Sequence, residues 1–331
     1  MGIMEKIMQV RNIFRLGAVA LVAAGSVGAA NAAAIGMSDL VIRSLFLSDA
    51  GGAPVNPGFV QLSSETRTGN ATASYNGVSG TGFGPDNLSG IGSGTVDVGF
   101  RCAGPACGSP ALSALYGGVF ENNTTTFLSP PPSQNYAIGD MLIEGNALAG
   151  PITGLTRADA AVAAGTNMGS ANATIQNGAT LFANFTVGTT FTGRVGVAGA
   201  FHLLAWVDDL LSSATASAGW NLGVGCNQSA TNNCGADWTD LSFAPTALNL
   251  SRSTGNPLDN FQSAISLQNF AFSSDLRTFR ETTRYTLAIN QSSNVVVNSR
   301  QQVPEPGSLA LVGLALAALG GVAAVRRRNS V

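Results

Sequence analysis

A single histidine, His202, limits the nucleophilic chemistry open to this 331-residue chain, because any Ser–His–Asp or Cys–His mechanism would have to run through it. Its neighbours Phe201, Leu203, Leu204 and Trp206 place it on a partly buried strand, where a structural role is expected. Asp208 and Asp209 are the closest acidic pair. Two carboxylates several ångströms apart could serve a secreted hydrolase, with Glu144 as the other member. On a strand, however, adjacent side chains point to opposite faces. In a turn the same two residues could share a calcium ion through hard oxygen ligands, and a solvated loop end is the plainer expectation. Asp237 and Asp240, which flank Trp238 and Thr239, offer the same calcium chemistry. No catalytic residue and no cofactor is predicted.

Four cysteines occur as two close pairs, Cys102 with Cys107 and Cys226 with Cys234. Four thiols allow three pairings, and spacing does not choose among them. An oxidising compartment favours disulfides, and two local bridges, each pinning a loop, are the preferred pattern. Zinc is the rival, but C-x4-C and C-x7-C are not usual zinc spacings and no histidine lies near either pair. Gly90-Ile91-Gly92-Ser93-Gly94 superficially suggests a phosphate cradle, yet such a cradle opens a helix, and Thr95 to Phe100 reads as a strand. Trp206, Trp220 and Trp238 could form a platform for sugar rings; aromatic residues on alternating segments are more often core, and Trp220 fits that plainer view.

The elements that must position these residues read as strands. Thr95–Phe100 and Leu181–Val187 alternate at period two, as half-buried strands do. Further strands are expected at Arg194–Ala200, Thr215–Val224, Thr246–Leu250, Arg284–Ile289 and Asn294–Val297, with Gly, Asn, Pro and Ser in the gaps. Thr156–Ala164 competes as a helix, and Phe201–Leu211 leans to strand plus turn. Pro130-Pro131-Pro132 is expected to be a stiff spacer. Many short strands without helical patterns between them predict an all-β, antiparallel sandwich-like domain. From Ala33 to Arg300 ten arginines and no lysine face sixteen acidic residues, a formal −6. That balance leaves no footprint for a nucleic-acid backbone.

Both ends read as processing segments. Lys6, Arg11 and Arg15 precede the apolar run Leu16–Val27 and the small residues Ala30-Asn31-Ala32, the three parts of a secretory signal peptide, with cleavage between Ala32 and Ala33. At the other end Pro304-Glu305-Pro306 precedes seventeen uncharged residues, Leu309–Val325, and then Arg326-Arg327-Arg328. At about 1.5 Å per residue such a helix reaches roughly 25 Å, the short end of what spans a bilayer. The arginines would stay cytoplasmic, leaving the domain outside. The expected division is therefore signal peptide 1–32, exported β domain 33–300 and sorting tail 301–331.

Triplet, apolar helix and arginine cluster in this order resemble the PEP-CTERM sorting signal. The resemblance implies recognition by an exosortase-type membrane protease, after export through the Sec translocon and cleavage by signal peptidase. Phe191–Arg300, with Ala214–Leu222 and Tyr285–Ile289, is similar to the group of PEP-CTERM proteins labelled EDSAMPEP, whose role is unassigned; it transfers no active site. The family tends to accompany exopolysaccharide production. The expectation is thus a non-catalytic protein of the cell surface or extracellular matrix, anchored transiently in the inner membrane and associated with exopolysaccharide. A carboxylate-dependent hydrolase and a calcium-stabilised adhesin are the alternatives.

Overall fold

Period-two alternation is clearest from Tyr285 to Ser299, where every odd-numbered residue is buried and every even-numbered one is half-buried or exposed. A computed structural model describes residues 34–300 apart from 83–86, 92–94, 120, 125–134, 149–151, 164–166, 176–180 and 263–266. Its longer strands are β1 (Ala34–Asp49), β2 (Val60–Tyr75), β3 (Val96–Ala103), β4 (Tyr136–Gly145), β5 (Ile152–Val162), β6 (Asn167–Ile175), β7 (Leu181–Val187), β8 (Phe191–Val207), β9 (Ser213–Gly225) and β10 (Tyr285–Ser299).

These strands form two antiparallel sheets. The first runs β8-β1-β5-β4-β3, with Phe261–Gln262, Gln268–Ser273 and Arg277–Phe279 on the free edge of β8 and Thr81–Gly82 beside β3. In the second, β6 and β7 both lie between β2 and β10, β9 follows β10, and Leu241–Phe243 and Leu250–Thr254 pair with β9. The all-β, antiparallel expectation is met.

Packing between the sheets differs along their length. One half holds large side chains, among them Trp220, Phe185, Phe279, Tyr285, Leu45 and Leu287. The other half is built from Ala34, Ala73, Ala158, Ala160, Ala205, Ala214 and Ala216 with Val295 and Val297. Small side chains let the sheets approach closely there, and at Gly36 a Cβ would meet Val295 Cγ1 at 2.4 Å and the Thr215 carbonyl oxygen at 3.3 Å. Between the halves a polar bridge crosses the sandwich. Gln291 Nε2 donates to the Leu40 and Gly154 carbonyls at 2.7 and 3.1 Å and to Thr156 Oγ1 at 3.2 Å. These bonds satisfy an amide that burial would otherwise penalise.

The two local disulfides form as expected, Cys102 to Cys107 and Cys226 to Cys234. Other expectations need correction. Thr246–Leu250 is not a strand: Thr246–Leu248 is a 3-10 turn after Pro245, which fixes the backbone, and the strand begins at Leu250. Arg284–Ile289 and Asn294–Val297 are parts of one strand, because the polar residues between them alternate in step with their neighbours. The helix weighed for Thr156–Ala164 does not form, since β5 carries the chain as strand from Ile152 to Val162. Pro130–Pro132 and Gly92–Gly94 lie outside the described residues. Gly36→Ala should lower stability by roughly 1–3 kcal/mol through overpacking against Val295, read as a reduced midpoint in urea with an unchanged slope.

Candidate functional site

Arg157 and Asp159 alternate with Thr156 and Ala158 on β5, so the two charges project from one face. Thr156, on the other face, meets Ser293 of β10 at 3.0 Å, which turns the charges away from the second sheet. Register places His202 of β8, Asp39 of β1, Arg157 of β5 and Asp140 of β4 in one row across four adjacent strands. All four are 0 % exposed.

The segment after β3 covers the Arg157 and Asp140 part of the row. The Cys102–Cys107 bridge turns the chain, and Ser109 then caps the short helix Pro110–Leu115 by accepting the Leu112 N–H. Leu112 and Tyr116 pack with Ile35, Met37, Tyr136 and Ile138 in a small core on this outer face. Tyr116 donates its hydroxyl to Asp159 Oδ2 at 2.7 Å, and its ring lies 4.8 Å from the Arg157 guanidinium. Arg157 contacts Asp159 at 2.6 Å and Asp39 at 3.4 Å and donates to the Asn123 carbonyl at 2.7 Å. Burial alone would lower the Arg157 pKa, but Asp159, Asp39 and Tyr116 outweigh it and raise it. Burial raises the Asp39 and Asp159 carboxyls, against the pull of Arg157. Two carboxyls share one cation here, an arrangement suited to fixing a segment on a sheet.

The residues singled out in the sequence lie elsewhere or apart. His202 is in the buried row, on a strand as expected. Glu144 ends β4 near the row of Ile42, whereas Asp208 follows Val207 opposite Ala34. Those rows are roughly 27 Å apart at about 3.4 Å per residue, so Glu144 and the Asp208–Asp209 pair do not converge in one cleft. Asp209 Oδ1 accepts the N–H groups of Leu211 and Ser212, both at 2.9 Å. Asp237 pairs with Arg280 at 3.0 Å, and hydrogen bonding to Arg280 holds its carboxyl below the usual range. Asp240 Oδ1 accepts from Trp238 Nε1 at 3.0 Å and from the Cys226 N–H at 3.2 Å. Ala32, Ala33, Pro304, Glu305, Pro306 and Arg326–Arg328 lie outside the described residues. Trp220 is core, 1 % exposed and edge-on to Phe243. Trp238 is different. Half-buried beside the Cys226–Cys234 bridge, it rests on Tyr285 at 4.8 Å and Phe279 at 5.8 Å between centroids, and it lines a shallow groove with Gln228, Asn233, Thr239 and Asp240.

A carboxylate cluster that sequence reasoning missed adjoins the buried row. One ligand oxygen from each of Asp97, Glu121 and Asp140 lies within 4.8 Å of the other two. Asp140 accepts the N–H groups of Asn122 and Met141 at 2.6 and 2.8 Å, and Asn122 Nδ2 donates to Asp97 Oδ2 at 3.0 Å. Among the described residues no N–H or O–H group is directed at Asp97 Oδ1 or Glu121 Oε1. An all-oxygen set of this kind holds either a shared proton or a hard cation. Its only sequence signal is a charge at period two inside apolar strands, as in Ile138-Gly139-Asp140-Met141-Leu142. Burial, with Glu121 close by, pushes Asp140 up to about 7; burial and Asp97 raise Glu121. A carboxyl raised in the fold contributes stability that is complete below its unfolded pKa of about 3.9 and is lost as pH climbs through the folded value. Stability to urea should therefore fall between pH 5 and pH 8, by on the order of 2–4 kcal/mol. Asp140→Asn should flatten that slope, and an equal slope in the variant would show that the proton is bound elsewhere.

No helix among the described residues is long and apolar enough to cross a membrane. No curated protein and no solved structure gives a significant match to the chain. Residues 302–328 do match the model of the PEP-CTERM protein-sorting motif. That span takes in the Pro304-Glu305-Pro306 triplet, the apolar run and all three arginines. The motif implies a membrane-anchored C-terminal sorting signal, export to the cell envelope and recognition by an exosortase, and the chain is accordingly a protein containing a PEP-CTERM sorting domain.

Proposed function

We propose that the exported domain is a non-catalytic component of the cell surface or extracellular matrix that associates with exopolysaccharide. The sorting motif at residues 302–328 carries this reading, because it commits the chain to an envelope-directed system. Signal peptidase would cut between Ala32 and Ala33 after Sec export, and exosortase would act at Pro304-Glu305-Pro306.

Three observations support a binding rather than a catalytic role. His202 is enclosed in the row beside Asp39 rather than presented to solvent. Of the strongly perturbed carboxyls, Asp140 and Asp159 hold the crossing segment and Asp39 holds Arg157. The Trp238 groove offers a partly exposed aromatic face with amide and carboxylate neighbours, the combination that stacks on and hydrogen-bonds a sugar ring. β9 ends beside the start of β10 at this groove, so it occupies the end of the sandwich opposite Ser299.

The full-length protein in detergent should be retained by immobilised exopolysaccharide from its own host. Trp238→Ala should weaken that retention by about tenfold, roughly 1.4 kcal/mol, compared at a temperature well below the variant's own melting point, which loss of the Phe279 and Tyr285 contacts lowers. If the unaltered protein retains no host polymer, the polysaccharide assignment is wrong.

A further inference from the structure

The sandwich has two chemically unlike ends. At one of them β10 stops at Ser299, β9 starts at Ser213, β8 stops at Val207 and β1 starts at Ala34, so the described chain both enters and leaves there. Around that exit stand apolar side chains that no other described residue covers. Leu210 and Leu211, in the turn between β8 and β9, are 72 % and 40 % exposed, Leu258 is 90 %, Val78 is 69 %, and Met168 at the start of β6 is 44 %. Phe59 and Leu276, two other exposed large apolar residues, lie away from this end. A groove joins Leu210, Leu211 and Met168 to Asn298, Ser299 and Arg300.

Loop tips are ordinarily polar, and a cluster of exposed leucines marks a surface that meets something apolar. The turn is built to present them. Asp209 Oδ1 takes the N–H groups of Leu211 and Ser212, which organises the backbone without using either leucine. Position identifies the occupant. The matched sorting motif begins at residue 302 and its apolar run at Leu309. The intervening residues reach at most about 3.3–3.6 Å each, roughly 30 Å in all. While the tail is inserted, this end of the domain is therefore confined close to the bilayer. β8, with its 17 residues, is itself roughly 55 Å long, so the opposite end is under no such confinement.

We propose that this rim is a membrane-contact surface: Leu210, Leu211, Leu258 and Met168 seat in the outer face of the bilayer while the tail is anchored. The contact holds the stretch after Arg300 at headgroup level, where an integral-membrane protease would meet it. Asp208, Asp209 and Asp259 share this end with Arg300, so the contact is apolar and does not depend on anionic lipid or on ionic strength. This inference rests on the sorting-tail reading.

The test uses the full chain reconstituted in phosphatidylcholine vesicles, carrying an environment-sensitive fluorophore on Leu211→Cys, on Leu258→Cys or, as control at the far end, on Leu276→Cys. Brominated lipid should quench the probes at 211 and 258 by at least about twofold and leave the one at 276 unaffected, with no change in high salt. Resistance of the protein to carbonate extraction reports tail insertion separately. If the tail inserts and the probes at 211 and 258 remain as aqueous as the control, the membrane rim is overturned and the sorting tail stands. A tail that fails to insert overturns both.

Discussion

Around Ala34–Ile42 of β1 the first sheet is dry on both faces. Its inner face meets the second sheet through alanines and large apolar residues, and its outer face meets the segment from the Cys102–Cys107 bridge to Asn123. A charge anywhere on such a sheet must be answered by protein groups, since an unpaired buried ion costs several kcal/mol. Arg157 is answered from four sides, by Asp39, Asp159, the Tyr116 ring and the Asn123 carbonyl. Removing the arginine would leave two buried carboxyls without their cation, so the crossing segment and the centre of the sheet are fixed by the same interaction.

That constraint gives the domain its polarity. With the centre of the first sheet's outer face closed by its own chain, the two ends of the sandwich differ most in chemistry. One end carries the exposed leucines and the start of the tail; the other carries the Trp238 groove, braced by the second disulfide and by the Phe279–Tyr285 pair. The alanine-rich half of the core lies toward the first and the aromatic half toward the second.

How much of this was legible beforehand follows from which interactions are local. Strand identity was visible at Leu181–Val187 and Thr215–Val224 because the side-chain period is a property of neighbouring residues. The disulfide pairs were legible as preferences for the same reason, their partners lying close in sequence. The sorting tail was legible because its triplet, apolar run and arginine cluster stand together as one linear motif at residues 302–328. The buried row was not. Asp39, Arg157 and Asp140 come from three distant strands and meet only through register, and each reads on its own as a solvent-facing charge. The strand expected at Thr246–Leu250 failed because a proline before it set a turn that hydrophobic alternation does not report.

The central claim, that the chain is exported, oxidised and processed at both ends, is tested most directly by intact-mass spectrometry of the protein taken from its host. The account predicts a species that begins at Ala33, lacks four thiol hydrogens and ends near Pro304–Pro306, with any added mass on the exported domain. A species that still begins at Met1 and extends through Leu309–Val325 to Val331, with free thiols, would contradict it.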